Sequence, residues 1–223
     1  MALSLGPMHM DNAKEIFSRL SAKRPSPKGE LKYTNPYTLL VAVVLSAQAT
    51  DIGVNKATPT LFAVADTPEK MIELGEDRLR TFIRTIGLFN TKAKNIIRLS
   101  HILRDHHNGE VPNDREVLQA LPGVGRKTAN VVLNIAFEEP TIAVDTHVFR
   151  VANRTGLALG KTPLAVEENL MRVVPQKYQK QAHHWLLLHG RYVCKAKAPA
   201  CSECLISDIC SFVGKNIVSN DTD

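Results

Sequence analysis

The chain has 223 residues and is 44% hydrophobic, enough to bury a substantial core in one large domain or two small ones. Its 28 Lys and Arg against 22 Asp and Glu leave a net charge of +6, which favours a polyanionic partner. The longest apolar stretch, Leu39 to Ala47, includes Ser46 and falls far short of a membrane span, and no charged-then-apolar leader is read at the start, so a soluble protein that engages no membrane is expected.

Periodic signals are helical nearly throughout, and without sustained period-two alternation the fold is read as all-α. The opening residues, ending in Gly6-Pro7-Met8-His9-Met10, read as an added leader or an alternative start. Asp11 is a candidate cap for a helix whose apolar face holds Ile16, Phe17 and Leu20, and the segment Arg24 to Gly29, with two prolines, is a linker. Asn35-Pro36 starts an apolar helix that Gln48 ends; taken alone, Gln48 is a surface glutamine. Pro59 is expected to interrupt the segment Asp51 to Ala65. Thr67-Pro68 has the form of a helix start and Gly75 that of a stop. Leu88 follows Gly87 just after the helical pattern Leu79, Phe82, Ile83, Ile86, and is either an exposed wedge or a staple folded back on its helix. A long helix runs from about Thr91 to near Gly109, with His106 and His107 placed to favour its dipole, and Asn113 with Glu116 resembles a capping box.

The run Leu121 to Leu133, LPGVGRKTANVVL, is the most informative stretch. Gly123 and Gly125 allow a sharp turn and a close approach to another surface, while Val124 packs beneath it. Amides at the start of the following helix, with its positive dipole end behind them, bind phosphate without reading a base. Leu121, Gly123, Val124, Gly125 and Arg126 are therefore candidate DNA contacts. Lys127 sits where the same dipole disfavours an added positive charge, which raises the fraction of free, nucleophilic amine. Such turns also occur where a lysine only holds phosphate. Asp145, eighteen residues on, is a natural cap for the next helix. A carboxylate returned beside Lys127 would suit displacement at a sugar carbon, the amine attacking and the carboxylate stabilising developing positive charge. His147 either lines the same cleft or contacts DNA. His183, His184 and His189, near Trp185, read as packing residues of an apolar helix rather than a second metal site.

All 4 cysteines lie between Cys194 and Cys210, spaced C-x6-C-x2-C-x5-C. With no secretory signal read, one metal site is a better account than disulfides. Zinc and an iron-sulfur cluster both accept four thiolates. Only Cys201 and Cys204 form the close pair usual for structural zinc, so the wider gaps favour a cluster. Arg191, Lys195 and Lys197 put positive charge on and before the first loop, a second candidate DNA patch.

In this order and spacing, LPGVGRKTA, VDTHVFRV and the cysteine tail resemble endonuclease III, a family of DNA glycosylases and AP lyases in the helix-hairpin-helix superfamily. The resemblance runs from about Asp11 to Phe212 and includes LLVAVVLSAQATD, TIGLFNTKA and HHWLLLHGRYVC; the first ten residues and the tail after Phe212 fall outside it. It implies Lys127 as Schiff-base nucleophile, Asp145 as catalytic carboxylate, Gln48 and Leu88 as residues that enter the duplex, and Cys194, Cys201, Cys204 and Cys210 as ligands of a 4Fe-4S cluster. It also implies two helical domains, residues 30–139 carrying the hairpin and residues 11–29 with 140–223 carrying the cluster loop, with Lys127 and Asp145 on opposite sides of the cleft between them. The expected activity is excision of oxidised pyrimidines from damaged double-stranded DNA with β-elimination at the abasic site, by a monomer in the bacterial cytoplasm, at the nucleoid. An adenine-mismatch glycosylase, a non-enzymatic DNA-binding module and a zinc-stapled structural protein are the alternatives. By resemblance the first has a different residue at the Lys127 position and an added C-terminal domain, the second has no need of Asp145, and the third accounts for the cysteines alone.

Overall fold

A computed structural model describes residues 10–216. Among them the chain forms helices α1 (Met10–Lys23), α2 (Pro36–Ser46), α3 (Asp51–Phe62), α4 (Pro68–Leu74), α5 (Glu76–Ile83), α6 (Phe89–His107), α7 (Arg115–Ala120), α8 (Arg126–Phe137), α9 (Thr146–Thr155), α10 (Pro163–Val173) and α11 (Gln176–Tyr192), and no strand. They fall into two compact units, Gly29–Glu139 and the pair of segments Met1–Lys28 with Pro140–Asp223.

The continuous unit is built around α2. Asn35 caps it through the amide of Thr38, whose hydroxyl in turn accepts from the Asn35 amide, and Pro36 fills the first helical position where its missing N–H is not needed. Every residue from Tyr37 to Leu45 is buried, as expected of a helix that is apolar all round. Leu61, Met71, Leu79, Ile83, Ile96, Leu99 and Leu103 complete its core, each burial contributing about 1.5–3 kcal/mol. Two local expectations are corrected here. α3 runs through Pro59 to Phe62 instead of breaking, because Leu61 and Phe62 beyond the proline are buried against the core and hold the last turn. The cap of α7 is Asp114, not Asn113: its carboxylate accepts from the amides of Glu116 and Val117 at 2.8 and 2.9 Å, while Asn113 donates to Glu139.

The second unit joins the two ends of the described chain. Ala13, Ile16, Phe17 and Leu20 form the buried face of α1; Asp11 lies inside its first turn rather than ahead of it as a cap, and residues 1–9 of the opening segment lie outside the described residues. Phe17 packs with Tyr178 and Trp185 of α11 at ring separations of 5.9 and 6.1 Å, and the Trp185 indole donates to the Arg24 carbonyl at 2.8 Å. These bonds make α1 part of the same core as α9, α10 and α11. His183, His184 and His189 are buried in α11, as expected of packing residues.

Candidate active site and cysteine loop

In the continuous unit, the turn between α7 and α8 has the form its glycines require. Gly123 is left-handed at φ +81, and a Cβ there would lie 3.0 Å from the Asn95 amide nitrogen of α6, so the turn and α6 touch. Leu121 and Val124 are buried beneath the turn. Neither of these two candidate contacts therefore offers an exposed side chain to DNA. Gly125 caps α8 without a side-chain acceptor, and no acidic residue occupies the first turn, so the positive end of the helix is not neutralised from within the motif. Arg126 is half-buried and Lys127, the second residue of α8, is exposed.

Two further turns of this unit lie side by side. Gln48, just past the end of α2, and Leu88, just before α6, are both exposed and both left-handed, at φ +55 and +60. A Cβ on Gly87 would approach the Gln48 carbonyl to 3.8 Å. Leu88 is 59% exposed, which rules out the folded-back staple. Between the turns is a residue that sequence reasoning missed. Lys92 is buried, and its ammonium donates to the carbonyls of Leu45 and Ala47 at 2.9 and 2.7 Å. The available signal was its spacing: it shares an apolar helical face with Ile96 and Leu99.

In the second unit the segment Thr141 to Val144 is buried, and Asp145, extended at φ -97 and ψ -175, ends it as the cap of α9. One carboxylate oxygen, Oδ1, accepts from the amides of His147 and Val148 at 2.9 and 2.8 Å. His183 bonds the Ala143 carbonyl through Nδ1 at 2.8 Å, tying the segment that leads into Asp145 to α11. His147 is half-buried, with Nδ1 3.2 Å from the Arg150 guanidinium. Arg150 also donates to the carbonyls of Gly190 and Cys194 at 2.7 and 2.9 Å, so the helix capped by Asp145 is tied directly to the first cysteine.

All four cysteines are free thiols and line one cavity, together with His189, Val193, Ile206 and Phe212. Burial pushes the Cys204 and Cys210 thiols up, and the neighbouring cysteines push them further. A positive core in the cavity would compensate the charge of thiolates that ligate it. Among the described residues, no three His, Cys, Asp or Glu side chains converge as ligands of a single ion. A donor set of four soft thiolates around a shared cavity fits a cluster, which is wider than an ion. Arg154 braces the loop: it donates to the Lys195 and Ala196 carbonyls at 2.7 and 2.9 Å, approaches the Cys194 sulfur at 3.8 Å and stacks 4.7 Å from the Phe212 ring centre. Burial lowers His189 to about 4, so a neutral ring faces the Cys204 sulfur at 3.6 Å. Lys195 and Lys197 are exposed on the loop and Arg191 is half-buried before it.

Residues 41–176 match the family model of the HhH-GPD superfamily base excision DNA repair proteins. Endonuclease III of Haemophilus influenzae is 58% identical over 90% of this chain and 95% of its own length, and endonuclease III of Escherichia coli 57% over 92% and 99%. Among solved structures, a trapped endonuclease III–DNA covalent intermediate with an estranged adenine superposes with a TM-score of 0.85 at 44% identity, covering 90% of this chain and 95% of that one. A thermostable thymine-DNA glycosylase, at 24% identity and a TM-score of 0.82 over 91% of this chain and 96% of that one, shares the fold.

Proposed function

The chain belongs to the HhH-GPD superfamily of base excision DNA repair proteins and, within it, to the endonuclease III family, and on that footing we propose that it removes oxidised or ring-fragmented pyrimidines from duplex DNA and cleaves the strand at the abasic site. It is a DNA N-glycosylase and AP lyase. The observation that carries the reading is Lys127, exposed on the first turn of a helix whose entry is a glycine elbow with no side-chain cap.

The elbow amides and the basic residues hold phosphates, an interaction indifferent to sequence and weakened by salt. The damaged nucleotide leaves the stack, at lower cost where saturation of its ring has removed aromatic stacking, and Leu88 and Gln48 fill the space it vacates. The Lys127 amine attacks C1′ of the deoxyribose. As the N–C1′ bond forms, the glycosidic bond breaks and its electron pair leaves with the base. Asp145, acting on the same nucleotide, stabilises the positive charge that builds on the sugar. Transfer of the amine proton to the ring oxygen, which leaves C1′ as a hydroxyl when the ring opens, gives a protonated imine, which acidifies C2′. Removal of a C2′ proton then drives out the 3′ phosphate oxygen, breaking the strand on the 3′ side of the lesion.

Cys194, Cys201, Cys204 and Cys210 would hold a 4Fe-4S cluster, which supplies a fixed anchor for the loop bearing Lys195 and Lys197. The endonuclease III relatives are bacterial, which supports the reading that this protein works on chromosomal DNA in the cytoplasm. The test is incubation with a duplex containing one thymine glycol, beside an unmodified thymine control. Release of the damaged base with strand cleavage, and none from the control, is expected. Equal release from both, or from neither, would overturn the assignment.

A further inference from the structure

We propose that Lys92 is a positioning residue for base excision: it locks the Gln48 turn to the start of α6, so that Gln48 and Leu88 enter the duplex as one rigid wedge. The proposal rests on the reading that both side chains enter DNA.

Lysine is among the residues least often buried without a charged partner. Lys92 is 5% exposed, and both hydrogen bonds of its ammonium go to main-chain carbonyls rather than to a carboxylate. Burial lowers its basicity, a cost that a packing role would not require, since a methionine fills similar space without it. What the ammonium obtains is specific. Leu45 and Ala47 belong to the last turn of α2 and its cap, where carbonyls lack helical partners, and a cation there also complements the helix dipole. The next residue is Gln48.

Left-handed backbone costs a non-glycine residue about 1–2 kcal/mol, so the Gln48 turn persists only if its surroundings determine it. Lys92 supplies two bonds to the residues that lead into that turn, and Gly87 brings the turn before α6 alongside the Gln48 carbonyl, which a Cβ on it would meet at an ordinary 3.8 Å. Leu88, left-handed as well, precedes Lys92 by one helical turn, and the Lys92 amide donates to its carbonyl at 3.0 Å. The same residue therefore holds one turn by its backbone and the other by its side chain. Asn95, three residues on, meets the hairpin turn at Gly123. Two turns of α6 thus brace every element of this unit proposed to touch DNA.

The test is a double-mutant cycle on the single-turnover excision rate from a thymine-glycol duplex, using wild type, Lys92→Met, Gln48→Ala and the double variant, with melting temperatures measured for each. Borohydride trapping on single-stranded abasic DNA, which presents no partner base to displace, is run in parallel. Each single substitution is expected to slow duplex excision about tenfold, and the double variant to be no slower than the slower single. Trapping on the single strand should stay within about twofold of wild type for all four. A wild-type rate for Lys92→Met, or effects that multiply in the double variant, would overturn the proposal and leave the reading of Gln48 intact. If Gln48→Ala alone excises normally, the duplex-entry reading falls and the proposal with it, while normal trapping leaves the Lys127 chemistry standing. Should Lys92→Met melt below the assay temperature, Lys92→Gln, which keeps a donor, takes its place in the same cycle and is judged by the same coupling.

Discussion

The Asp145 carboxylate accepts the Val148 amide at 2.8 Å through Oδ1, the same oxygen that receives the His147 amide, so the cap of α9 occupies one oxygen and Oδ2 takes no part in it. Structural and chemical roles can therefore be separated by substitution. Asp145→Ser keeps a capping oxygen and is expected to melt close to wild type, whereas Asp145→Ala should lose about 1 kcal/mol. Both should lose base excision by at least about a hundredfold, the size expected when a transition-state charge is left unstabilised. Thermal melts beside single-turnover excision check this. Full excision by Asp145→Ser would show that the carboxylate does no chemistry.

Close packing of α9 against α11 depends on Gly190. A Cβ there would lie 2.8 Å from the His147 Cβ and 3.0 Å from the His147 carbonyl oxygen, contacts that only a backbone shift relieves. Gly190→Ala is expected to destabilise the protein by about 1–3 kcal/mol, read as a lower denaturation midpoint, and to displace the turn bearing Asp145 and His147.

Exposed lysines of the cysteine loop carry a different signature. If Lys195 and Lys197 each meet one phosphate, replacing both with alanine should flatten the slope of log affinity against log salt by about 1.8, while excision at saturating protein is unchanged. Titrations at several salt concentrations measure the slope directly. An unchanged slope would place the DNA away from this loop.

Buried histidine gives the protein an acid limit. Burial lowers His184, whose ring packs edge-on against His183 at 5.1 Å. The unfolded chain takes up this proton near pH 6.5 and the folded chain only at lower pH, so stability falls as pH drops below about 6.5. In His184→Gln the loss of stability between pH 7 and pH 5.5 should be smaller than in wild type, measured by denaturant midpoints at the two pH values.

Where a signal was local, the sequence carried it. Asn35-Pro36, Thr67-Pro68, and Asp145 ahead of Val148 each state a helix start in two to four neighbouring residues. Asn113 and Asp114 are both good caps, and only the path of the chain decides that Asp114 meets the helix amides. Pro59 reads as a breaker, yet burial beyond it outweighs its missing bond. Lys92 was hidden for another reason. Its acceptors are main-chain carbonyls 45 and 47 positions away, and a carbonyl leaves no mark in a sequence. The four cysteines were visible as a set, but their common cavity depends on Arg150 and Arg154 reaching across from α9.

The central claim is that the Lys127 amine bonds to the sugar, and borohydride reduction during turnover on a thymine-glycol duplex tests it most directly. Lys127 is exposed, so Lys127→Ala should fold normally, within about 0.5 kcal/mol of wild type. Wild-type protein is expected to yield a covalent protein–DNA adduct, and Lys127→Ala to bind the duplex yet yield none. An adduct from Lys127→Ala in wild-type amount would contradict the account.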